Sequence, residues 1–168
     1  MKNEGDKERL LEEFDKEVGV LVKIRSIYVI NFVGAVYIVK KIAIVTEWAD
    51  YGNIRTLMKT RTGENALSKA LRVKFCFDAA KGIQYIHGNG ILHRNIKPEN
   101  FLVVSLQVSG TINAKLADFG SSRSINMMMT NMTFTKGIGS PKHMCTRNLE
   151  QRTLQGWCRH LLIGHHNV

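Results

Sequence analysis

The sequence predicts an α+β fold in which long helices and short strands occupy separate stretches of the chain. Two segments, 7–24 and 71–87, carry apolar residues at spacings of three and four, the period of a helix with one buried face. Between them, two runs rich in β-branched residues, 30–38 and 42–46, predict an antiparallel strand pair. With 168 residues, of which 44% are hydrophobic, the chain is long enough to bury a core.

Turn and capping residues mark the shorter elements. The segment Asp50–Asn53 predicts a turn after the second strand, and Asn53 can cap a short helix that follows it. The Gly-Asn-Gly sequence at 88–90 ends the second long helix. Two short strands are predicted beyond it, at 101–104 and 114–117.

Charge and hydropathy exclude two classes of partner. The formal net charge is +10, but the basic residues are scattered, which predicts a solvated basic surface and no nucleic-acid site. The most apolar stretch, 18–48, is interrupted by four Lys and Arg residues, whereas a membrane span needs about 20 nearly uninterrupted apolar residues. No membrane segment is therefore expected in this chain.

The three cysteines, Cys76, Cys145 and Cys158, are an odd number and show no CxxC spacing. This pattern argues against a disulfide framework and against a zinc site. It favours a reducing compartment, so a cytoplasmic location is predicted.

Two motifs carry the chemical information. The segment His93–Asn100 reads HRNIKPEN, and Asp118-Phe119-Gly120 follows at the end of a predicted strand. The first closely resembles the catalytic loop of eukaryotic protein kinases, H-R-D-x-x-x-x-N, and the second matches their magnesium-binding D-F-G. The sequence of residues 96–100 is similar to that of serine/threonine kinases. The sequences of the strand pair and of the second long helix resemble those of the tyrosine-kinase-like branch.

The resemblance covers about residues 6–144 and implies the two-lobed protein-kinase fold. Residues 1–49 would form part of the N-lobe, with helix C, the last two strands and the hinge. Residues 50–144 would form part of the C-lobe, with the family's helices D and E, the catalytic loop, the D-F-G and the activation segment. That segment is expected to end at 137–141, after a loop predicted to run from Gly120 to Pro141.

The family's catalytic roles carry over to matching positions. Asp118 would chelate the Mg²⁺ that bridges the phosphates, and Asn100 would hold a second ion. Lys97 would steady the transferred phosphate, and Arg94 would pair with a phosphorylated threonine of the activation loop. The candidate phosphorylation sites are Thr130, Thr133 and Thr135.

The nucleotide-binding roles carry over in the same way. Glu17 corresponds to the helix C residue that pairs with the ATP-binding lysine. Thr46 would be the gatekeeper, and the backbone groups of Glu47 and Ala49 would meet the adenine. Leu102 would pack under the adenine ring.

Asn95 is the most consequential departure from the family pattern. The family places Asp there, to accept the proton of the substrate hydroxyl and to orient it. Asn has nearly the same shape, but an amide is not a usable base near neutral pH. A general base is typically worth about 10²–10⁴-fold in rate, so its loss predicts an inactive enzyme.

The other departures lie at the two ends of the resemblance. The glycine-rich loop and the strand with the ATP-binding lysine are expected before Glu17, where only 16 polar, helix-like residues stand. After Met144 the family continues with A-P-E and helix F, and this sequence does not. When one nucleotide is removed, codons permitted from Cys145 onward encode A-P-E and later D-I-Y-S. Residues 145–168 are therefore predicted to be a frame-shifted tail that forms at best a loosely docked helix.

These features predict a serine/threonine-type member of the protein kinase family that is inactive as written. ATP and Mg²⁺ are the implied cofactors, with weak or absent binding here, and a protein substrate is the implied partner. Two alternatives remain open. One is a pseudokinase module that binds or scaffolds a protein partner, and the other is a non-functional gene fragment.

Overall fold

The computed structural model describes residues 4–38, 41–124 and 141–163. The helices and strands of these residues are α1 (Glu4–Leu21), β1 (Phe32–Ile38), β2 (Lys41–Thr46), α2 (Ile54–Thr60), α3 (Lys69–Gly88), β3 (Ile91–Leu92), β4 (Phe101–Val103), β5 (Ala114–Leu116), β6 (Arg123–Ser124) and α4 (Pro141–Ile163). This order confirms the α+β class. Among the described residues, no helix is both long and apolar enough to cross a bilayer.

The N-terminal part consists of α1 and a two-stranded antiparallel sheet. β1 and β2 pair from Phe32 opposite Thr46 to Ile38 opposite Lys41, which confirms the predicted hairpin. Phe14 of α1 is buried and meets the ring of Tyr37 edge-on, with centroids 5.0 Å apart. This aromatic contact fixes α1 against the sheet and thereby orients the helix that carries Glu17.

The centre of the core is α3, which packs against β5 and the segment preceding β1. Gly82 of α3 lies so close to this segment that a Cβ on it would stand 2.9 Å from the carbonyl oxygen of Tyr28. The backbone N–H of Ile30 donates to Leu116 O, and that of Leu116 donates to Tyr28 O, both at 2.9 Å. The glycine thus permits the close packing that joins the N-terminal part to β5.

Asp78 anchors the start of β5 from inside α3. Its side chain is fully buried and accepts hydrogen bonds from the backbone N–H groups of Asn113 and Ala114, at 2.7 and 3.2 Å. The ammonium group of Lys74 pairs with it at 2.7 Å. A buried carboxylate with this many donors is fully compensated, so β5 and the residues that follow it have a fixed position.

The structure differs from two expectations about the C-terminal third. The loop expected from Gly120 to Pro141 includes the short strand β6 near its start, which pairs with β3, and residues 125–140 lie outside the described residues. The expected loosely docked tail is instead α4, which lies antiparallel against α3. Its Leu154, Trp157 and Leu161 are buried, because they recur at helical spacing and face α3 and β4.

Candidate functional site

His93 connects the two motif segments through the core. It is fully buried, its Nε2 lies 2.9 Å from the carbonyl oxygen of Ala117, and its ring meets Phe119 edge-on at 5.0 Å. Because a carbonyl only accepts, Nε2 carries the proton of this hydrogen bond. Burial lowers the pKa of His93. The contacts of its ring hold Ala117 and Phe119 against the segment His93–Asn100.

The backbone on each side of this contact is strained. Arg94 has φ of 67° and Asp118 has φ of 62°, the left-handed region that non-glycine residues rarely adopt. Each such residue costs on the order of 1 kcal/mol or more, and it persists only where the surroundings enforce it. Residues of this kind cluster at functional sites.

Glu150 of α4 enforces the conformation at Arg94. One carboxylate oxygen accepts a short hydrogen bond from the backbone N–H of Arg94, and the other lies 2.5 Å from Nε2 of His87 in α3. Glu150 and His87 are both buried. Arg147 adds a hydrogen bond of 3.2 Å to the carbonyl oxygen of His87. The loop that carries Arg94 and Asn95 is therefore tied to both α3 and α4.

Three of the predicted site residues come together at the mouth of this loop. The amide nitrogen of Asn95 lies 3.4 Å from Oδ2 of Asp118, and the amide nitrogen of Asn100 donates to the backbone carbonyl of Asn95 at 2.8 Å. Since Asn100 uses its nitrogen in this way, its Oδ1 is the atom left to act as a metal ligand. The exposed carboxylate of Asp118 and this oxygen are ligands of the type that Mg²⁺ prefers.

Glu17 reaches the same place from α1. A Cβ on Gly120 would lie 3.4 Å from its Oε2, and the backbone N–H of Phe119 bonds to its carboxylate. Burial, and then the negative charge of Asp118, raise the pKa of Glu17. Within residues 4–38, 41–124 and 141–163, no lysine or arginine forms an ion pair with Glu17. The carboxylates of Glu17 and Asp118 thus lie near each other, and no cation pairs with Glu17 in the part of the chain that the structure describes.

The predicted adenine contacts lie along β2 and its continuation. The side chain of Glu47 is held by the ammonium group of Lys115 at 2.6 Å and by the backbone N–H of Asn31 at 2.7 Å. The hydroxyl of Thr46 donates to the carbonyl oxygen of Glu47 at 3.3 Å. These bonds fix the segment that runs on to Ala49.

Leu102 lies on β4, where it pairs with Lys115 of β5 and forms a bridge with Asn53. Its side chain is half-buried. The ion pair of Glu47 with Lys115 and the bridge of Asn53 with Leu102 thus connect the segment after β2 to β5 and β4.

The remaining candidates lie at the periphery or outside the described residues. The side chains of Arg94 and Lys97 are exposed. Lys97 directly precedes the 3₁₀ turn Pro98–Asn100, whose Glu99 pairs with Arg55 of α2 at 3.1 Å. Thr130, Thr133 and Thr135 lie outside the described residues, as does most of the expected end of the activation segment.

Sequence reasoning did not find Glu150 or His87. Neither belongs to a motif, and 63 positions separate them in the sequence. The one available signal was a single acidic residue within a helical stripe of apolar residues, which is a common surface pattern. Only the packing of α4 on α3 reveals that its carboxylate is buried.

Comparisons with known proteins agree with the motifs. Residues 1–156 match the family model of the protein kinase domain. The chain is 36% identical over 121 residues to a Dictyostelium discoideum protein named "Probable serine/threonine-protein kinase gdt8", covering 72% of this chain and 9% of that protein. It is 31% identical over 152 residues to the Arabidopsis thaliana serine/threonine-protein kinase VIK, covering 88% of this chain and 33% of the relative.

A third relative, the Arabidopsis thaliana serine/threonine-protein kinase STY17, is 33% identical over 123 residues, which is 73% of this chain and 20% of that protein. The chain thus spans a third or less of the length of these relatives. The family model nevertheless covers most of the chain, and the geometry around Asp118 and Asn100 is consistent with it. The chain belongs to the protein kinase domain family.

Proposed function

We propose that this chain is a kinase-family domain of serine/threonine type that does not transfer phosphate at a useful rate. The observation that carries the proposal is Asn95, which occupies the position of the general base and whose amide nitrogen points to Asp118. An amide can orient a hydroxyl but cannot take its proton. The step that fails is therefore the removal of the proton from the attacking hydroxyl.

The metal-binding half of the site supports this family origin. Asp118 and the Oδ1 of Asn100 would hold Mg²⁺, which in this family neutralises the charge of the phosphates. Asn95 would compete with Mg²⁺ for Asp118, because its amide nitrogen contacts the same carboxylate that would ligate the metal. The chain's own residues therefore offer an Mg²⁺ site without the proton acceptor beside it.

The surroundings of Glu17, where the family binds the phosphates of ATP, also support the proposal. Glu17 reaches the Asp118–Gly120 segment with no cation partner among the described residues. Its raised pKa reflects burial and the repulsion from Asp118. An environment that already disfavours a second negative charge is a poor one for a triphosphate.

Purified chain incubated with radiolabelled ATP, Mg²⁺ and a generic protein substrate should incorporate no phosphate above background. The matched control is Asp118→Ala, which removes the principal metal ligand and should give the same background. Incorporation by the unchanged chain that disappears in Asp118→Ala would refute the proposal, because it would show a functioning metal-dependent transfer.

The chain should also show little response to nucleotide. A ligand present at 100 times its Kd raises stability by about 2.7 kcal/mol, which is several degrees in melting temperature for a domain of this size. Millimolar ATP with Mg²⁺ should leave the melting temperature unchanged in a thermal-shift measurement. An increase that requires Mg²⁺ and is lost in Asp118→Ala would show that the half-site binds nucleotide unaided.

A further inference from the structure

The packing of α4 against α3 places two cysteines opposite each other. Along the antiparallel pair, Arg72 Nη1 donates to the carbonyl oxygen of Leu161 at 3.1 Å, and at the other end Arg147 Nη2 donates to the carbonyl oxygen of His87 at 3.2 Å. These two contacts fix the register of the helices.

Within this register, Cys76 stands one turn beyond Arg72 on α3 and Cys158 stands one turn before Leu161 on α4. Residues three or four apart lie on the same face of a helix, so the two thiols lie at the same level of the interface. Both side chains pack on the hydrophobic core while remaining partly accessible to solvent.

The distance between the helices suits a covalent link. Packed helices lie about 8–10 Å apart at their axes, with Cα atoms at a radius of about 2.3 Å, so directly facing Cα atoms come within about 3.5–5.5 Å. A disulfide usually joins Cα atoms about 4.4–6.8 Å apart. A hydrogen bond with Cys76, and then partial burial, raise the pKa of Cys158 well above its ordinary value.

We propose that Cys76 and Cys158 form a reversible disulfide, which clamps α4 onto α3 under oxidising conditions. The co-reactant is a two-electron thiol oxidant such as hydrogen peroxide. The sulfur of Cys76 attacks one peroxide oxygen, the O–O bond breaks, and water leaves after protonation, giving a sulfenic acid. The sulfur of Cys158 then displaces the hydroxyl from Cys76. The S–S bond forms, the S–O bond breaks, and the thiol proton leaves in a second water.

The clamp would act on the catalytic loop through Glu150. This residue lies on α4 two turns before Cys158 and binds the backbone of Arg94. Fixing α4 covalently therefore fixes the loop that carries Asn95. The proposal does not depend on whether the chain transfers phosphate, because it concerns the helix pair alone.

The test uses the full chain carrying Cys145→Ser, so that two cysteines remain. After treatment with hydrogen peroxide and blocking of free thiols, the intact monomer should have lost two hydrogens and bear no blocking group. A non-reducing digest should contain one peptide pair joined through Cys76 and Cys158. The oxidised form should melt about 5–15 °C higher than the reduced form, since a disulfide closing a long loop typically stabilises a domain of this size by such an amount.

Two controls make the outcome decisive. Adding Cys76→Ser should abolish both the intramolecular link and the thermal shift, and oxidation in urea should lose the preference for an internal link. In the chain that keeps all three cysteines, the same peptide pair should dominate. Thiols that remain open to blocking after excess oxidant, links only between chains, or links mainly to Cys145 would each overturn the proposal.

Discussion

Replacing Glu150 with Ala should lower the free energy of unfolding by about 3–5 kcal/mol, the range for removing one member of a buried, hydrogen-bonded pair. The carboxylate of Glu150 accepts from the part-buried backbone N–H of Arg94 and bonds to Nε2 of the buried His87. Its loss leaves Nε2 of His87 unpaired in the interior, where an unsatisfied polar group is costly, and removes the acceptor of the Arg94 N–H. It also releases the left-handed backbone at Arg94.

Two variants separate this effect from a general weakening of α4. Glu150→Gln keeps the length and one acceptor oxygen, so it should cost less than Glu150→Ala. Arg152→Ala, on the exposed face of the same helix, should change stability by no more than about 0.5 kcal/mol. Urea unfolding followed by circular dichroism gives all three values. Equal stability of Glu150→Ala and Arg152→Ala would show that Glu150 is not buried against the loop.

Trp157→Ala should destabilise the chain by about 3–5 kcal/mol, as large-to-small substitution of a buried aromatic side chain does. Trp157 is 7% exposed and packs against Phe101 of β4, with ring centroids 5.4 Å apart. Its removal leaves a cavity between α4, α3 and β4.

Trp157→Phe is the matched control, because it keeps an aromatic ring at the contact with Phe101. The indole Nε1 of Trp157 is buried without a hydrogen-bond partner among the described residues. The Phe substitution removes this donor, so part of the lost packing should be offset and the cost should stay well below that of Trp157→Ala. A stability unchanged by Trp157→Ala in chemical denaturation would support the loosely docked tail expected from the sequence.

The orphaned indole bears on the origin of residues 145–168. The prediction that this segment is a frame-shifted tail rests on codons and stays a prediction. An amphipathic helix can bury an apolar stripe without having been selected to satisfy every polar atom on it. The Nε1 of Trp157, which has no hydrogen-bond partner in the described part of the chain, is what such a helix would show.

The local elements could be predicted because their signals are local. Periodicity predicted helices at 7–24 and 71–87, and the structure has them at Glu4–Leu21 and Lys69–Gly88. Asn53 caps α2 as expected, accepting a hydrogen bond from the N–H of Thr56 at 2.8 Å. The differences are confined to the ends, where helices fray and capping decides the boundary.

The centre of the candidate site could be predicted for a similar reason. Asn95 and Asn100 share one short loop, so they must lie close together, and the β4–β5 hairpin returns the chain to them at Asp118. Glu17 comes from a distant helix, so its position near Asp118 was predicted only from the resemblance to the family motif.

What sequence reasoning missed depends on the register between α3 and α4. The contact of Glu150 with His87 and the juxtaposition of Cys76 with Cys158 both require knowing which helix faces which, and at what offset. Phe77 illustrates the same limit. It falls near the apolar face of α3, yet it is 49% exposed beneath the ammonium groups of Lys74 and Lys81.

The central claim is that Asn95 cannot serve as the proton acceptor of phosphate transfer, and that no phosphate-binding cation pairs with Glu17 among the described residues. It is tested most directly by the rate of labelled phosphate transfer from ATP·Mg²⁺ in Asn95→Asp, measured beside the unchanged chain and Asn95→Asp/Asp118→Ala. Circular dichroism and urea unfolding establish that all three proteins are folded. Restoring the carboxylate alone should leave the rate at background, because Glu17 still has no cation partner among the described residues. A gain of about 10²-fold or more in Asn95→Asp that vanishes with Asp118→Ala would contradict the account, since a restored base is worth that much only where ATP is already held correctly.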